Sequence, residues 1–408
     1  MLATLMPLFD ENMKVHSYSV FAQKQNYLRN PTYFGIGRLD GASNVVGFDI
    51  VDSIGIETLS GDREVFLEIN NISIFSDLDL QTTTPHDKLI LLMDPSITPQ
   101  EQYIERIKVL KGKKYKFAIR NLNVADFESY SNILTLMDYV FLDHHKIVIE
   151  KARKYFDIKF PNVKLVAVNI DSQEDFDKLQ KSGQYDLYEG DFFRMPILKG
   201  EKEVAPLKVN YIELMNVVNI PNYDLDKAAD VIERDAALVI SLLTMVNKMT
   251  VNAGVKTVRH AAAMLGQKEM RKWINTAITK ELCADKPNEI TRVSMQNAKF
   301  AQNLAEAYGL KIFEQELFLM GLFSVIDVIL DKPMSEALEM IKLSDDIKNA
   351  LLKGEGKYAP VLEMINKYEQ ASWQEVSRLL VLQNLDMEVV YDAYVNSLKW
   401  YKDLINEK

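Results

Sequence analysis

The sequence predicts an α/β domain followed by an all-α domain. Over residues 1 to about 200, short apolar runs typical of β-strands alternate with longer amphipathic stretches typical of helices. From Lys208 to Lys408 the strand pattern disappears and only helical periodicity remains. Between the two halves, the charged segment Gly200–Pro206 has no periodicity and ends in proline. We therefore place the domains at residues 1–204 and 205–408.

Seven segments of the first half carry the strand pattern, which is a short apolar run bounded by polar or turn residues. They are Val15–Phe21, Val65–Ile69, Leu89–Met93, Lys116–Ile119, Tyr139–Leu142, Lys164–Val168 and Leu187–Tyr188. Helical periodicity separates several of them, at Gln100–Leu110, Val124–Leu134, Lys146–Phe156 and Ser172–Lys181. This repetition leaves open a (β/α) barrel or a doubly wound sheet. No Gly-x-Gly-x-x-Gly or Walker-type loop follows any strand, so the doubly wound alternative loses its best support.

The second half reads as helices throughout. Apolar residues recur three or four positions apart, and segments such as Asn219–Pro221 and Gly354–Gly356 interrupt the pattern. The predicted helices are Val209–Val218, Leu225–Arg234, Ala236–Lys248, Val258–Leu265, Lys268–Ala284, Arg292–Tyr308, Gln315–Ile329, Ser335–Lys342, Asp345–Leu352, Pro360–Tyr368, Trp373–Leu382 and Met387–Asn406. We expect Asp235 and Thr257 to begin two of these helices and Gly266 to end one.

Composition limits the functional classes. The 408 residues contain 58 acidic and 48 basic side chains, for a net charge of -10, which argues against general binding to nucleic acid or anionic membranes. The single cysteine, Cys283, cannot form an internal disulfide and suits a reducing cytosol. The N-terminus lacks a basic segment before Pro7, and the most apolar run is shorter than the roughly 20 residues needed to cross a bilayer. We expect a cytoplasmic protein.

Short motifs along the first half resemble, in the right order, the EAL family of cyclic di-GMP phosphodiesterases. Lys14–Phe21 is similar to the opening strand K-x-x-G-Y-E-A-L of that family, and Glu68–Ser73 is similar to F-x-N-x-S. The most specific piece, Tyr188–Pro196, reads Y-E-G-D-F-F-R-M-P where the family has F-Q-G-Y-F-F-x-x-P. EAL domains are TIM-like barrels, so the resemblance implies a barrel of that type.

The second half resembles HDOD domains, which are all-helical relatives of the HD phosphohydrolases. Asp235–Asn247 follows the pattern D-x-x-L-x-x-x-L-L-x-x-V-N. Thr257–Gly266 follows the pattern T/S-V-x-H-A-x-x-x-L-G. The resemblance implies an EAL-like barrel followed by an HDOD domain, an order found in bacterial two-domain signalling proteins.

The resemblance to EAL domains does not extend to the catalytic positions. In that family, carboxylates and an asparagine at the ends of strands hold two divalent cations that activate water. The corresponding positions here are Ser19, Asn71, Leu91, Arg120, Asn121, Phe141, Asp143, Val168, Asp171 and Glu189. Only Asn71 and Asp143 match, and both side chains are also common caps of turns and helices. We therefore expect no catalytic residue, no metal site and no cofactor at these positions.

Arg120 is the most informative replacement. A guanidinium does not deprotonate and cannot bind a metal, so in the barrel mouth it would repel cations. The alternative is a surface arginine paired with a nearby acid.

The HD chemistry is also absent. In Gly321–Asp327, the residues Ser324 and Val325 stand where HD proteins carry His-Asp. His260 is isolated on its helix, and such a histidine is more often structural than a metal ligand.

We expect, on this basis, a signalling or scaffolding protein that is not an enzyme and acts through protein–protein contacts. Family analogy indicates a histidine kinase or a response regulator as the partner. Association of the chain with a second copy of itself is a further expected interaction. The alternative is a receptor that binds cyclic di-GMP or a related nucleotide without hydrolysing it. In that case Arg120 would donate hydrogen bonds to the phosphates of the ligand. An active cyclic di-GMP phosphodiesterase is the least favoured function.

Overall fold

The computed structural model describes residues 1–24, 26, 28, 43–197, 206–249 and 254–406. Residues 200–205 of the predicted linker lie outside this part of the chain. The chain consists of two compact units. The first comprises Met1–Met195 and Asn366–Leu398, and the second comprises Pro196–Ile365 and Lys399–Lys408. The predicted domain limits 1–204 and 205–408 stay a prediction, since the units assign residues 366–398 differently.

The first unit contains a closed barrel of eight strands. These are β1 Leu2–Phe9, β2 Val15–Gln23, β3 Val65–Glu68, β4 Leu89–Met93, β5 Lys116–Ile119, β6 Tyr139–Asp143, β7 Lys164–Val168 and β8 Leu187–Glu189. β1 pairs antiparallel with β2 and with β8, and every other neighbouring pair is parallel. The strands follow chain order around the barrel. The predicted TIM-like barrel is therefore confirmed, and the doubly wound sheet is excluded.

β1 is the strand that the sequence pattern missed. It reads Leu-Ala-Thr-Leu-Met-Pro-Leu-Phe, a nearly continuous apolar run interrupted by Thr4 and Pro7. Apart from Met6, all its residues are buried, so no alternation of apolar and polar residues marks it.

Short helices lie between the strands. They are α1 Val46–Ile54, α2 Ile56–Ser60, α3 Glu101–Gly112, α4 Ser131–Leu134, α5 Ile149–Lys159 and α6 Gln173–Ser182. The helices α1 and α2 were not predicted. The predicted helix Val124–Leu134 is instead a 3-10 turn at Val124–Asp126 followed by α4.

The remaining helices form the rest of the chain. They are α7 Pro206–Val218, α8 Leu225–Ile232, α9 Ala236–Met249, α10 Val258–Leu282, α11 Asn288–Leu304, α12 Glu314–Leu322, α13 Ile326–Leu330, α14 Met334–Met340, α15 Asp345–Lys353, α16 Ala359–Glu369, α17 Trp373–Leu382 and α18 Met387–Asn406. The predicted all-helical region is confirmed. Within the described residues, no helix is long and apolar enough to cross a membrane.

Caps explain the motif residues of α9 and α10. Asp235 accepts a hydrogen bond from the backbone N–H of Leu238 at 3.1 Å, and Thr257 accepts one from His260 at 3.2 Å. Gly266 has a φ of 70° and interrupts the regular helix α10. The two helices predicted at Val258–Leu265 and Lys268–Ala284 are therefore confirmed as two helical segments of α10 that meet at the non-helical Gly266.

The C-terminal helices complete an edge of the barrel. β8 pairs with β1 only at Leu8 and Phe9, so the first part of β1 has no strand partner on that side among the described residues. There, the backbone N–H of Ala3 donates to the hydroxyl of Tyr368 at 3.3 Å. The hydroxyl of Tyr394 lies 3.3 Å from that of Thr4. The hydroxyl groups of these tyrosines, on α16 and α18, therefore contact polar groups of β1 on the side where a longer β8 would otherwise pair.

Candidate functional site

Side chains of the strands fill the barrel interior. The buried core cluster contains Leu8, Phe66, Ile90, Leu92, Ala118, Tyr139, Phe141, Val166, Val168 and Leu187. Because side chains alternate along a strand, the next inward positions toward the carboxyl ends are Glu68, Arg120, Asp143 and Glu189. The polar groups therefore lie together at the barrel mouth, above an apolar interior.

Arg120 lies in the barrel mouth. Its Nη2 donates to Glu189 Oε1 at 3.1 Å, and its Nη1 lies 3.8 Å from Glu68 Oε1. The guanidinium carbon lies 5.2 Å from the ring centroid of Phe21 and 5.5 Å from that of Phe141. Only 16% of the Arg120 side chain is exposed. Arg120 therefore does not lie on the surface, although it is paired with an acid, Glu189, as the alternative interpretation expected.

Glu189 joins two of the predicted positions. Its second oxygen, Oε2, accepts a hydrogen bond from Ser19 Oγ at 3.2 Å. The next residue is Gly190, where an added Cβ would lie 2.2 Å from the carbonyl oxygen of Ile170. The glycine of the Tyr188–Pro196 motif is thus required by close backbone packing at the end of β8. The structure brings Ser19, Arg120, Phe141 and Glu189 into direct contact.

A cavity of about 280 Å³ opens beside Arg120 at the ends of β2 to β5. Its polar lining includes Glu68, Asn70, Asp94, Arg120 and Asn121. Three of these residues, Glu68, Asn70 and Asp94, were not among the predicted site positions. The signal that could have found them is their place within two residues of the last residue of β3 or β4.

Asn70 shapes the loop after β3. Its Oδ1 accepts hydrogen bonds from the backbone N–H groups of Ile72 and Ser73, each at 2.8 Å. The predicted residue, Asn71, is exposed and does not line the cavity. The polar role expected of Asn71 therefore falls to its neighbour.

Asp143 is held by the turn that follows β6. Its carboxylate accepts from Lys146 Nζ at 2.8 Å and from the backbone N–H of His145 at 3.1 Å. Desolvation acts to raise the pKa of Asp143, but these hydrogen bonds hold it below its ordinary value. The side chain is therefore an ionised cap, one of the two interpretations that the sequence left open.

The other predicted positions do not meet Arg120. Leu91 alternates with Ile90 and Leu92, which belong to the interior cluster, so it faces away from the barrel interior. Val168 belongs to that cluster, and Asp171 is exposed. Among the described residues, no group of three or more His, Cys, Asp or Glu side chains could hold a metal ion.

The segment equivalent to the HD dipeptide forms a tight helical contact. Ser324 Oγ donates to the carbonyl of Gly321 at 2.7 Å and lies 3.1 Å from Asn297 Nδ2, which donates to it. Burial raises the pKa of Asp327 above its ordinary value.

Comparison with known proteins identifies the helical domain. Residues 204–351 match the model of the HDOD domain. The chain is 24% identical over 357 residues to a protein of Vibrio cholerae serotype O1 named "Cyclic di-GMP phosphodiesterase CdgJ", covering 86% of this chain and 82% of that protein. It is 24% identical over 365 residues to "Uncharacterized protein YuxH" of Bacillus subtilis, covering 87% of this chain and 88% of that protein.

Solved structures of EAL domains are also similar to part of the chain. "Crystal structure of EAL-like domain protein YdiV" matches 46% of this chain and 88% of that one, with 12% identity and a TM-score of 0.35. "PaMucR Phosphodiesterase, c-di-GMP complex" matches 47% of this chain and 94% of that one, with 11% identity and a TM-score of 0.36.

One expectation from the sequence is contradicted. We expected that the chain is not an enzyme, but a relative that aligns with 86% of it is named as a cyclic di-GMP phosphodiesterase. The replacements at the barrel mouth therefore do not establish a loss of catalysis. The two-domain order is confirmed: the chain carries a closed barrel of eight strands, followed by a helical region that matches the HDOD domain.

Proposed function

We propose that this chain is a cytoplasmic signalling protein of the cyclic di-GMP system that takes the dinucleotide, or a related phosphodiester, in its barrel mouth. The observation that carries the proposal is Arg120, whose largely buried guanidinium borders a cavity of about 280 Å³. The similarity to a protein named as a cyclic di-GMP phosphodiesterase supports the choice of ligand.

Arg120 keeps donors for a ligand. A guanidinium has five N–H donors in a planar fork that suits phosphate oxygens. Among the described residues, Arg120 makes one side-chain hydrogen bond, to Glu189, while Glu68 lies beyond hydrogen-bonding distance at 3.8 Å. The rings of Phe21 and Phe141 and the carboxylate of Glu189 hold the guanidinium in place before a ligand arrives.

The carboxylates of the mouth set a condition on binding. Among the described residues, the carboxyl groups of Glu68, Asp94 and Glu189 surround Arg120, so acidic side chains outnumber basic ones at the mouth. These carboxyl groups oppose an anionic ligand, so we expect the contact between Arg120 and the phosphodiester to decide whether the dinucleotide binds.

Calorimetry with cyclic di-GMP, with and without Mg²⁺, tests this function. We expect micromolar binding by the unmodified protein and at least tenfold weaker binding by Arg120→Ala. Arg153→Ala is the matched control, because Arg153 forms ion pairs with Asp157 and Asp186 away from the mouth. Chromatography of the same samples for the linear dinucleotide then measures whether bound ligand is cleaved. The absence of heat at high ligand concentration, with and without the metal, would rule out the proposal.

The HDOD domain is the proposed site of contact with a protein partner, a histidine kinase or response regulator by family analogy. Three large apolar side chains of α9 and α10 support such a contact, since they are exposed by 50% or more: Ile240, Met249 and Met264. Crosslinking of the unmodified protein and of Ile240→Glu tests this part. A partner captured equally by both proteins would argue against α9 as the contact, and capture of self-contacts alone would count strongly against a separate partner.

A further inference from the structure

Two lysines of the helical unit converge without an acidic partner. Lys272 on α10 and Lys299 on α11 both donate to the same atom, Gln302 Oε1, at 3.4 and 3.0 Å. Both side chains are half-buried, and among the described residues neither ammonium group forms an ion pair. One uncharged amide oxygen thus accepts hydrogen bonds from two ammonium groups that repel each other.

The surroundings do not neutralise this pair. The charged groups that act on Lys272 and Lys299 include Lys268, Lys311, Glu269 and Glu314. Glu314 is already bound by Lys268 at 2.8 Å and by Lys311 at 3.1 Å. The four lysines and two glutamates leave a surplus of two positive charges at this place, in a chain whose net charge is -10.

Two aromatic rings partly offset the cost of burying the Lys272 ammonium group. Lys272 Nζ lies 5.1 Å from the ring centroid of Phe318 and 5.8 Å from that of Trp400. Lys299 has no such ring contact among the described residues. Desolvation lowers the pKa of both lysines, and for Lys299 the charge of Lys272 lowers it further. The arrangement therefore costs stability in the absence of a bound anion, as functional sites commonly do.

We propose that Lys272, Lys299 and Gln302 form a binding site for a small phosphate group, either inorganic phosphate or a phosphomonoester. A phosphomonoester carries about 1.5 to 2 negative charges at neutral pH and inorganic phosphate carries between one and two, so either can offset most of the local positive charge. Its oxygens can accept from both ammonium groups at once, which a single amide oxygen does poorly. Lysine binds phosphate as a point charge, so no planar fork is required.

This site is separate in sequence and structure from the barrel mouth. Lys272 and Lys299 belong to the helical unit, whereas Arg120 belongs to the barrel unit. The proposal therefore does not depend on whether cyclic di-GMP binds at Arg120, and the variant Arg120→Ala distinguishes the two.

Thermal unfolding of the full chain in inorganic phosphate tests the proposal, with chloride at equal ionic strength as the reference. We expect phosphate to raise the midpoint of the unmodified protein and of Arg120→Ala. Lys272→Gln and Lys299→Gln should lose this rise, while Lys332→Gln, which removes a lysine paired with Glu336 and not among the charged groups named above, should keep it. Calorimetry with inorganic phosphate should show at least tenfold weaker binding for each of the first two variants.

A second experiment distinguishes a phosphomonoester from inorganic phosphate as the ligand. O-phosphoserine replaces inorganic phosphate in the same titration, and a larger response assigns the site to phosphomonoesters rather than to free phosphate. Lys299→Arg keeps the charge and should retain binding, which separates loss of the site from loss of folding. An equal response of the unmodified protein, Lys272→Gln and Lys299→Gln, or no response of the unmodified protein to either compound, would overturn the proposal.

Discussion

The guanidinium of Arg194 donates to the carboxylate of Glu369 at 2.7 Å, across 175 residues of sequence. Both side chains are largely buried, with 18% and 7% of their surface exposed. Both residues belong to the barrel unit, and the chain leaves that unit after Met195 and returns to it at Asn366. This ion pair therefore fixes the returning C-terminal segment next to the end of the barrel sequence.

We expect Glu369→Gln to lower the free energy of unfolding by about 2 to 3 kcal/mol, because it removes the nearer carboxylate of a largely buried ion pair and leaves Asp191 at 3.8 Å from Arg194. Urea unfolding measures this. Glu105→Gln is the control, since Glu105 forms a comparable pair with Lys108 at 2.6 Å that is exposed on both sides. Equal stability of Glu369→Gln and the unmodified protein would show that the Arg194 contact does not hold the segment.

Tyr368→Phe should expose the unpaired edge of β1. The substitution removes the hydroxyl that accepts from Ala3, so a buried N–H loses its partner at a cost of about 1 to 3 kcal/mol. Hydrogen exchange followed by mass spectrometry should show faster exchange in the peptide covering β1.

Tyr394 offers a matched comparison for the same edge. Tyr394→Phe alone leaves the hydroxyl of Thr4 buried without this contact, whereas Tyr394→Phe with Thr4→Val removes both polar groups. We expect the double variant to recover part of the stability that the single variant loses. If the double variant loses more unfolding free energy than the two single variants lose together, the role assigned to this contact is contradicted.

Gly321→Ala should destabilise the HDOD domain. An added Cβ would lie 2.2 Å from the carbonyl oxygen of Asn297, so α11 and α12 would have to separate, at a cost of about 1 to 3 kcal/mol or more. Gly112→Ala is the control, because a Cβ at Gly112 meets nothing within 4 Å. Differential scanning calorimetry of the two variants measures the difference. Similar midpoints for both would refute the close contact.

The pH dependence of Lys299→Gln should reveal the cost of the lysine pair. The pKa of Lys299 is lowered from 10.5 in the folded protein, so the unfolded chain binds more protons between the folded pKa and 10.5, and stability rises with pH there. At pH 7, Lys299→Gln should be more stable than the unmodified protein. This advantage should shrink as the pH approaches 10.5.

For Lys268→Gln we expect a change in stability of the opposite sign to that of Lys299→Gln at pH 7. The hydrogen bond to Glu314 raises the pKa of Lys268 above 10.5, so its contribution is stabilising below 10.5 and is lost only as the pH rises through the folded value. Thermal midpoints from pH 7 to 10.5 measure both variants. Parallel curves for the two variants would contradict the assignment of these shifts.

Much of the site followed from the sequence because strand ends are marked locally. Because Arg120 follows β5 and Glu189 ends β8, the sequence indicated that both lie near the barrel mouth, but it left open a surface position for Arg120, and the tertiary structure decided that the two side chains meet. The error at Leu91 arose because a shift of one residue in a strand exchanges the interior and exterior faces, and a uniformly apolar strand such as β4 gives no alternation to decide it.

By itself, the sequence determined the local order of the chain: seven of the strands, the caps at Asp235 and Thr257, and the two family resemblances. These follow from periodicity and capping, which depend on residues a few positions apart. Only the tertiary structure decided that Tyr368 completes β1 across 365 residues, and that Lys272 and Lys299 share Gln302. The physical reason is that hydrogen bonds and charge repulsion depend on distance in space, and packing brings together groups that no local pattern relates.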